Sequence, residues 1–381
     1  MRVTQAAMSL VWAFSILFAV AAFPAQDATE CANLNKCKKA EAKEKKDCPK
    51  CAKAKIKADE ALCTSCARKD EVCRLCGLPK KGSGKKPGGG TPDDAAATIT
   101  AADMKEFIMR FAGDEMEGRN NNSPGIQKAR AFLIDHLKKA GAKPLAGGNF
   151  EMASPSTSCM NVGTLYEGTD PKLKDEYVIV GSHMDHIGKG GGDGINNGAD
   201  DNGSGSTTNK EICEALFKSG VKTRRSIINL WFTGEEDGLV GSRDYCNAPA
   251  VGHEKVVAML NCDMLGRNPD KAAPLYGVGS SPQFSAVVDK AMGKFPKANV
   301  QKVMEAGQYF LRSDQVNFWR KGIPVMFITT GMHPDYHQSS DSPDKINCER
   351  MAELGKFMLF ILLEIANGDT RPTKDPNFKE R

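Results

Sequence analysis

Long hydrophobic runs are scarce in this 381-residue sequence. Apart from the nearly apolar stretch 6–22, no segment approaches the length of about 20 residues that a membrane-spanning helix needs. Hydrophobic residues make up 40% of the chain and charged residues 26%. These proportions exclude a membrane bundle and a chain that is disordered throughout. The length predicts more than one domain.

The apolar stretch 6–22 has the pattern of a secretory signal peptide. Arg2 supplies a positive charge in front of it, and Ala19 and Ala21 offer a small-residue cleavage site. We therefore predict that residues 1–25 are removed, which leaves an exported protein, periplasmic or extracellular, without a membrane span. A retained membrane anchor is the less favoured alternative, because the run is short for a spanning helix.

Cysteines are concentrated in a small module, which we place at residues 27–76. Eight of the thirteen cysteines lie there and form three Cys-x2-Cys pairs; they are Cys31, Cys37, Cys48, Cys51, Cys63, Cys66, Cys73 and Cys76. Such pairs are also typical of structural zinc sites, but an exported protein favours disulfides. We expect disulfides, with a structural metal or free redox thiols as the alternatives.

Positive charge is concentrated in the same part of the chain. Residues 31–87 contain 17 Lys or Arg against 7 Asp or Glu, so their local net charge is +10. This basic head could contact an anionic surface, although a solvated basic face is the simpler interpretation. No aromatic residue occurs between Cys31 and Cys76 to stack on a base, so we expect no specific nucleic-acid partner.

A segment rich in glycine, proline and lysine, residues 77–94, follows the module. Six glycines, three prolines and four lysines occur between Gly77 and Pro92, a composition that cannot bury a core. We interpret this segment as an extended linker between the module and the body of the protein.

From residue 95 to residue 367 the pattern alternates between strands and helices. Short apolar runs predict buried strands at 177–180, 226–232, 256–260 and 324–328. Helical periodicity covers 101–111, 125–142, 206–218, 238–246, 282–293 and 348–366. We therefore predict an α/β fold, a three-layer sandwich with a largely parallel mixed central sheet, followed by a polar tail at 368–381.

Histidines and carboxylates follow the predicted strands. The strands run into Gly-Ser-His-Met-Asp-His (181–186), Thr-Gly-Glu-Glu (233–236), Asn-Cys-Asp (261–263) and a segment ending at His337, and the glycine-rich segment 198–205 adds two aspartates. Because ligands collect at the carboxyl ends of parallel strands, we expect these side chains at one edge of the sheet. Without Lys or Arg they would repel one another unless a cation were present, and the mixture of His and carboxylate suits zinc.

Within these segments, two pairs of nearby residues suggest that one member of each pair binds metal and the other has a different role. His183 and Asp185 lie two residues apart in an extended segment, so they face the same way, and one could bind metal while the other orients it. Glu235 and Glu236 are adjacent and point apart, so one could be a ligand and the other a general base. The residue pattern alone leaves open which member of each pair has which role.

The body resembles the co-catalytic zinc aminopeptidases of peptidase family M28 over nearly all of residues 95–367. The matching stretches are GSHMDHIG (181–188), NNGADDNGSG (196–205), FTGEEDGLVGS (232–242), NCDMLGR (261–267), RSDQVNFWRKGIP (312–324) and YHQSSDS (336–342), with DEMEGR (114–119) upstream. The resemblance implies a zinc exopeptidase fold, two Zn²⁺ per chain and peptide substrates. It also implies these roles: His183 and Asp263 bind one zinc, Glu236 and His337 bind the other, Asp201 bridges them, Glu235 is the general base and Asp185 orients His183.

Neighbouring residues receive lesser roles. Asp200 is a rival for the bridge, but the family's register favours the second of the two aspartates. His186 and His333 are expected outside the ligand set, and Tyr336 is a weaker candidate for stabilising the oxyanion. Gln315 departs from the family pattern, which commonly has His there, so it receives no role.

The resemblance thus predicts an aminopeptidase that hydrolyses the amino-terminal peptide bond with a zinc-bridging water and a Glu general base. Relatives with this fold include carboxypeptidases and dipeptidases, which are the first alternative. A glutaminyl cyclase is less favoured because such relatives use one zinc. A non-catalytic binding protein is also less favoured, because neither a ligand nor the base is lost here.

The cysteines of the body are not expected to take part in the chemistry. Cys262 is predicted to be a small buried apolar side chain. The others, Cys159, Cys213, Cys246 and Cys348, could form up to two disulfide bridges.

Overall fold

An eight-stranded mixed sheet forms the centre of the protein in a computed structural model, which describes residues 89–121, 123–145, 147–158, 160–190 and 194–380. The signal peptide at 1–25, the module at 27–76 and most of the linker lie outside the described residues, so these three remain predictions.

The four strands predicted from sequence form the parallel centre of the sheet. The strands are β1 Glu151–Ala153, β2 Met160–Tyr166, β3 Tyr177–His183, β4 Gly188–Lys189, β5 Ile195–Asn196, β6 Ser226–Phe232, β7 Val256–Cys262, β8 Ala273–Tyr276, β9 Val300–Lys302 and β10 Val325–Ile328. Their order in the large sheet is β1-β2-β6-β3-β7-β10-β8-β9, and β4 pairs with β5 separately. Strands β6, β3, β7 and β10 run parallel, whereas β2 and β8 pair antiparallel to this central group.

Both faces of the sheet are covered, as strand β6 illustrates. Ile228 and Leu230 face one apolar cluster, whereas Ile227 faces the cluster on the opposite side. Trp231 also lies on that opposite side, where its indole N–H donates to the Ser206 carbonyl at 3.1 Å. Because alternate residues of a strand point to opposite faces, a strand that is apolar throughout must be buried on both.

Helices form the outer two layers. They are α1 Pro92–Ala97, α2 Ala101–Phe111, α3 Pro124–Lys139, α4 Gly205–Ser219, α5 Val240–Asn247, α6 Phe284–Lys294, α7 Gln315–Arg320 and α8 Cys348–Asn367. Helices α5 and α7 cover one face, and the apolar sides of α1, α2, α4, α6 and α8 cover the other, with α3 packed against α2 and β6. The predicted three-layer α/β sandwich with a largely parallel mixed sheet is therefore confirmed.

Helix α1 begins inside the segment that the sequence presents as linker. Thr91 caps it: the Thr91 hydroxyl accepts the Asp94 N–H at 3.1 Å, and the Asp94 carboxylate accepts the Thr91 N–H at 2.9 Å. This capping box starts a helix even after a glycine-rich stretch, and Pro92 suits its first turn. The folded body thus begins a few residues before residue 95.

The two outer strands on each side of the sheet were missed from sequence because their patterns are weak. Strand β2 contains Gly163, β8 contains Pro274, and β1 and β9 have three residues each. Glycine and proline are disfavoured in strand interiors, and three residues show no usable period.

The segment predicted as a polar tail packs against the body. The Phe378 ring lies 5.0 Å from the Trp319 ring and 5.5 Å from the Phe310 ring, measured between centroids. Arg371 donates to Glu176 at 2.8 Å. Aromatic, ionic and backbone contacts, including the Asp375 N–H donated to the Ser280 carbonyl at 2.8 Å, therefore hold this segment against the body.

Four cysteines of the body are free and buried: Cys213, Cys246, Cys262 and Cys348. The disulfides considered among Cys213, Cys246 and Cys348 are therefore absent from the described structure, while Cys159 lies outside it. Cys262 is a buried thiol, as predicted. Among the described residues, no helix combines the length and apolar character that crossing a membrane requires.

Candidate metal centre

The carboxyl ends of the parallel strands carry the predicted site. His183 is the last residue of β3, Asp263 follows β7 directly, and Glu235 and Glu236 lie in the turn after β6. Parallel strands end at the same edge of a sheet, so residues distant in sequence meet there. The structure brings all seven predicted site residues to this edge.

His183 and Asp263 form one half of the site together with Asp201. His183 Nε2 lies 3.4 Å from Asp201 Oδ1 and 3.4 Å from Asp263 Oδ1. Glu235 Oε2 lies 4.0 Å from the same nitrogen. All four side chains are buried or nearly so.

His337 and Glu236 form the other half and share the same aspartate. His337 Nε2 lies 3.0 Å from Asp201 Oδ2 and 3.1 Å from Glu236 Oε2. The two oxygens of Asp201 therefore face different groups of side chains, which is the arrangement of a carboxylate that bridges two cations.

The donor atoms fit zinc. Zinc bonds of about 2.0–2.1 Å at tetrahedral angles place ligand atoms about 3.3 Å apart, close to the observed spacings. Four atoms of the cluster are buried and make no hydrogen bond of acceptable geometry within the described residues: His183 Nε2, His186 Nε2, His337 Nε2 and Asp263 Oδ1. Burial of unpaired polar atoms is costly, so a bound cation explains their arrangement.

The bridge assignment rests on how the two adjacent aspartates point. Asp200 turns away from the cluster: its Oδ1 accepts the Gly266 N–H at 2.5 Å, and its Oδ2 lies 3.2 Å from His333 Nε2. Asp201 alone faces both His183 and His337. The geometry supports the predicted choice of Asp201 over Asp200.

The loop that carries Asp201 is held by Asp341. The Asp341 carboxylate accepts the backbone N–H of Asp200 at 3.0 Å and that of Asp201 at 3.2 Å. The loop turns at Gly198, where φ is 54° and an added Cβ would lie 2.3 Å from the ring of His186. Only glycine fits this left-handed turn without strain.

Asp185 organises the turn after β6 as well as His183. The His183 Nδ1 atom lies 3.2 Å from the backbone carbonyl of Asp185 and 3.6 Å from its carboxylate. The Asp185 carboxylate accepts the backbone N–H groups of Glu235 at 3.2 Å and Glu236 at 3.3 Å. Asp185 thus contacts three predicted site residues, through its carbonyl and its carboxylate, whereas sequence reasoning assigned it only one.

The buried carboxylates strongly perturb one another. Burial raises the pKa of Glu235 well above its usual 4.5, and the nearby charges of Asp263 and Asp314 add to this shift. Burial raises the pKa of Asp314 to about 7. A carboxylate with a raised pKa can accept a proton near neutral pH, as a general base must.

The remaining histidines contact carboxylates around the centre. His186 Nδ1 lies 2.7 Å from Glu236 Oε1, the oxygen that does not face His337. His333 lies beside Asp200, away from the two ligand groups. His333 thus lies outside both candidate ligand groups, whereas His186 lies within the group of Asp201, Glu236 and His337, whose donor atoms are all within 4.8 Å of one another. The place of His186 outside the ligand set therefore stays a prediction.

Several residues that support the site were not assigned from sequence. Arg119 is fully buried and donates to the carbonyls of Met184, Phe111, Asn197 and Gly198 at 2.9, 3.2, 2.7 and 2.7 Å. Arg119 belongs to the DEMEGR motif, but nothing in its local pattern indicates four distant carbonyls.

Ser313 and Gln315 form a second supporting network. The Ser313 hydroxyl donates to Asp263 Oδ2 at 2.7 Å. The Asn261 amide donates to Ser313 Oγ at 2.8 Å and to Gln315 Oε1 at 2.8 Å. Gln315, which departs from the family pattern, thus supports Asp263 through two intermediates.

An open pocket with about 460 Å³ of empty space adjoins the centre. Asp201, Glu235 and Asp263 line it together with apolar residues such as Met264 and Phe327. Tyr336 lines the pocket too, and its ring stacks on the His337 ring with the centroids 3.9 Å apart.

Comparison with known sequences identifies the family. The sequence model described as Peptidase family M28 matches residues 161–362, which is more than half of the chain. The chain belongs to this family. All seven predicted site residues lie inside the matched region.

Two fungal relatives match a longer part of this chain than the family model does. A probable leucine aminopeptidase of Arthroderma benhamiae is 29% identical over 276 residues, covering 70% of this chain and 74% of its own length. A second probable leucine aminopeptidase of the same organism is 30% identical over 282 residues, covering 69% and 71%. The M28 protein described here is therefore a metallo-exopeptidase, a hydrolase of the aminopeptidase type.

Solved structures share the fold. The Legionella pneumophila LapA aminopeptidase superimposes with a TM-score of 0.60 at 21% identity, covering 72% of this chain and 74% of its own. A Porphyromonas gingivalis glutaminyl cyclase superimposes with a TM-score of 0.56 at 18% identity, covering 70% and 98%. At such identities the likeness concerns the fold alone.

Proposed function

We propose that this M28 protein is an exported aminopeptidase that uses two zinc ions to remove the amino-terminal residue from peptides. One observation carries the proposal: the two oxygens of Asp201 face two separate groups, His183 with Asp263 and His337 with Glu236. A bridging carboxylate with a histidine and a carboxylate on each side is a two-zinc ligand set.

When bound, the ions polarise the scissile carbonyl and lower the pKa of the attacking water. Glu235 takes the proton from that water, because its carboxylate lies beside the proposed ligands, with Oε2 4.0 Å from His183 Nε2. Glu235 then returns the proton to the leaving amine. Asp185 keeps Glu235 in reach by accepting its backbone N–H.

Replacing the base separates chemistry from metal binding. The Glu235→Gln variant should bind as much zinc as the wild-type protein and lose hydrolysis of aminoacyl p-nitroanilides, by about 10²–10⁴-fold in kcat. Glu106→Gln, an exposed change distant from the centre, is the matched control. Zinc is measured by mass spectrometry on the purified proteins. Turnover by Glu235→Gln at the wild-type rate would refute the assignment of the base.

Peptides with an acetylated amino terminus test from which end the enzyme cleaves its substrate. An aminopeptidase cleaves peptides with a free amino terminus and spares the same peptides after acetylation. A carboxypeptidase on the same site would cleave both forms from the other end, and a dipeptidase would act on dipeptides alone. Chromatography of the products distinguishes these outcomes.

The cyclase alternative has one specific observation in its favour, the structural likeness to the Porphyromonas enzyme. A one-zinc enzyme needs a single ligand group, whereas this chain has two. We therefore expect two zinc ions per chain and no cyclisation of amino-terminal glutamine. One zinc per chain together with cyclisation would favour the alternative.

Export is proposed from the amino-terminal sequence. Secretion by the native host should yield a mature chain that begins near residue 26, which amino-terminal sequencing checks. Thiol counting under denaturing conditions, before and after reduction, then tests whether the module at 27–76 contains disulfides. Elution from an anionic resin tests whether the basic head binds anionic surfaces more strongly than the body alone.

A further inference from the structure

We propose that Arg312 binds a carboxylate of the substrate, so that the enzyme favours peptides with an acidic amino-terminal residue or short peptides with a nearby free carboxyl terminus. This inference rests on the proposed function, because it concerns the pocket next to the proposed zinc centre. Arg312 belongs to the matched motif at 312–324, but the family resemblance assigns it no role.

Arg312 lines the same pocket as Asp201, Glu235 and Asp263. It is the only Lys or Arg among the pocket-lining residues of the described structure. The side chain is exposed, and no hydrogen bond or ion pair joins its guanidinium to another residue in the described part of the chain. An unpaired guanidinium in a substrate pocket is available to a ligand carboxylate, which it can bind through two hydrogen bonds.

The backbone of Arg312 is held in place. Its N–H donates to the Tyr309 carbonyl at 2.9 Å in the helical turn Phe310–Arg312. The next residue, Ser313, donates to Asp263 Oδ2 at 2.7 Å. The backbone of Arg312 is therefore held next to Ser313, whose hydroxyl contacts the predicted metal ligand Asp263.

The charge of Arg312 also favours an anion. Arg312 places a positive charge on the pocket wall. A positive potential attracts carboxylates and disfavours lysine or arginine side chains.

The apolar walls suit the stem of an acidic side chain. Met264, Phe327 and Met332 also line the pocket. The methylene groups of a glutamate side chain could lie against them while the carboxylate reaches the guanidinium. A leucine side chain would fill the same walls without using Arg312.

The test compares substrate ratios. Zinc-loaded wild type, Arg312→Met and Arg312→Glu are assayed with p-nitroanilides of Glu, Leu and Lys, which lack a carboxyl terminus. Arg312→Met should lower the ratio of kcat/KM for Glu over Leu about threefold to fivefold, mainly through KM, because an exposed ion pair is of this strength. Arg312→Glu should lower it further and raise the ratio for Lys over Leu.

A second arm identifies the source of the carboxylate. Leu-Gly and Leu-Gly-amide differ only at the carboxyl terminus, so a fall in their ratio in Arg312→Met assigns the arginine to that terminus. Arg320→Met is the matched control, because Arg320 is another exposed arginine of the same segment but lies outside the pocket lining. Circular dichroism verifies that each variant is folded.

The outcomes separate this inference from the proposed function. If wild type hydrolyses the leucine substrate and both ratios stay within twofold in Arg312→Met, the inference is wrong and the proposed function stands. If zinc-loaded wild type hydrolyses none of the substrates, the proposed function fails and the inference fails with it.

Discussion

Arg119 offers the sharpest test of how the site is held together. Its guanidinium donates to four carbonyls, and two of these, Asn197 and Gly198, lie just before the loop that carries Asp201. Burial lowers its pKa to about 10, which still leaves it charged at neutral pH. Replacement by methionine keeps most of the volume but removes every donor.

The expected loss of stability follows from the contacts. Each buried carbonyl left without its donor costs about 1 kcal/mol or more. The Gly198 carbonyl still accepts the Gly203 N–H at 3.1 Å, so the loss of donors to the other carbonyls costs about 3 kcal/mol. Packing of the methionine against Phe111 recovers a small part. Since the whole domain is stable by about 5–15 kcal/mol, Arg119→Met should lose a large share of its free energy of unfolding.

Urea unfolding curves recorded by circular dichroism measure this loss of free energy. They are recorded once in the presence of zinc and once in the presence of EDTA. Arg119→Lys is the matched control: it keeps the charge and up to three donors, so it should lose clearly less than Arg119→Met. A loss below about 1 kcal/mol in Arg119→Met would refute the claim that these hydrogen bonds hold the site.

Three further predictions follow from the described contacts. Burial raises the pKa of the Cys213 and Cys262 thiols to about 12, so peptides containing them should escape alkylation at pH 8 unless the protein is unfolded, as mass spectrometry can check. Asp201 and Glu236 raise the pKa of His337 from 6.5 to about 10 in the metal-free protein. Protonated His337 therefore stabilises the folded state fully below about pH 6.5, and this contribution is lost as the pH rises towards 10. Urea midpoints measured in EDTA should fall over that range in the wild type, and they should fall less in His337→Gln. Phe378→Ala should lower the free energy of unfolding by about 1–2 kcal/mol in thermal melts, because the ring is half-buried, and an unchanged melting temperature would show that the tail is not anchored.

The centre of the fold could be predicted because its signals are local. Strand β6 and helix α2 were predicted with the bounds that the structure has, 226–232 and 101–111. Strands β3 and β7 continue two to three residues beyond their predicted ends, because His183 and Cys262 still pair with neighbouring strands. An apolar run indicates the buried part of a strand. Polar residues at the strand end do not continue this pattern, so the last residues of the strand are not predicted.

The candidate site could be predicted for a related reason. Its residues follow apolar strands directly, and parallel strands place their ends at one edge. The supporting residues could not be found in this way, because Arg119, Ser313 and Asp341 act through contacts with segments 50 to 140 residues away. No period or local composition reports such contacts.

The amino-acid sequence by itself determined which residue types end the central strands, and with them the metal chemistry that this edge can support. Only the tertiary structure decided which oxygens of Asp201 face which histidine, that Asp200 points away, and that Arg312 lies in the pocket. The physical reason is that side-chain type is a property of one position. Direction and proximity arise when distant segments pack together, and they depend on the loops and buried hydrogen bonds that hold those segments.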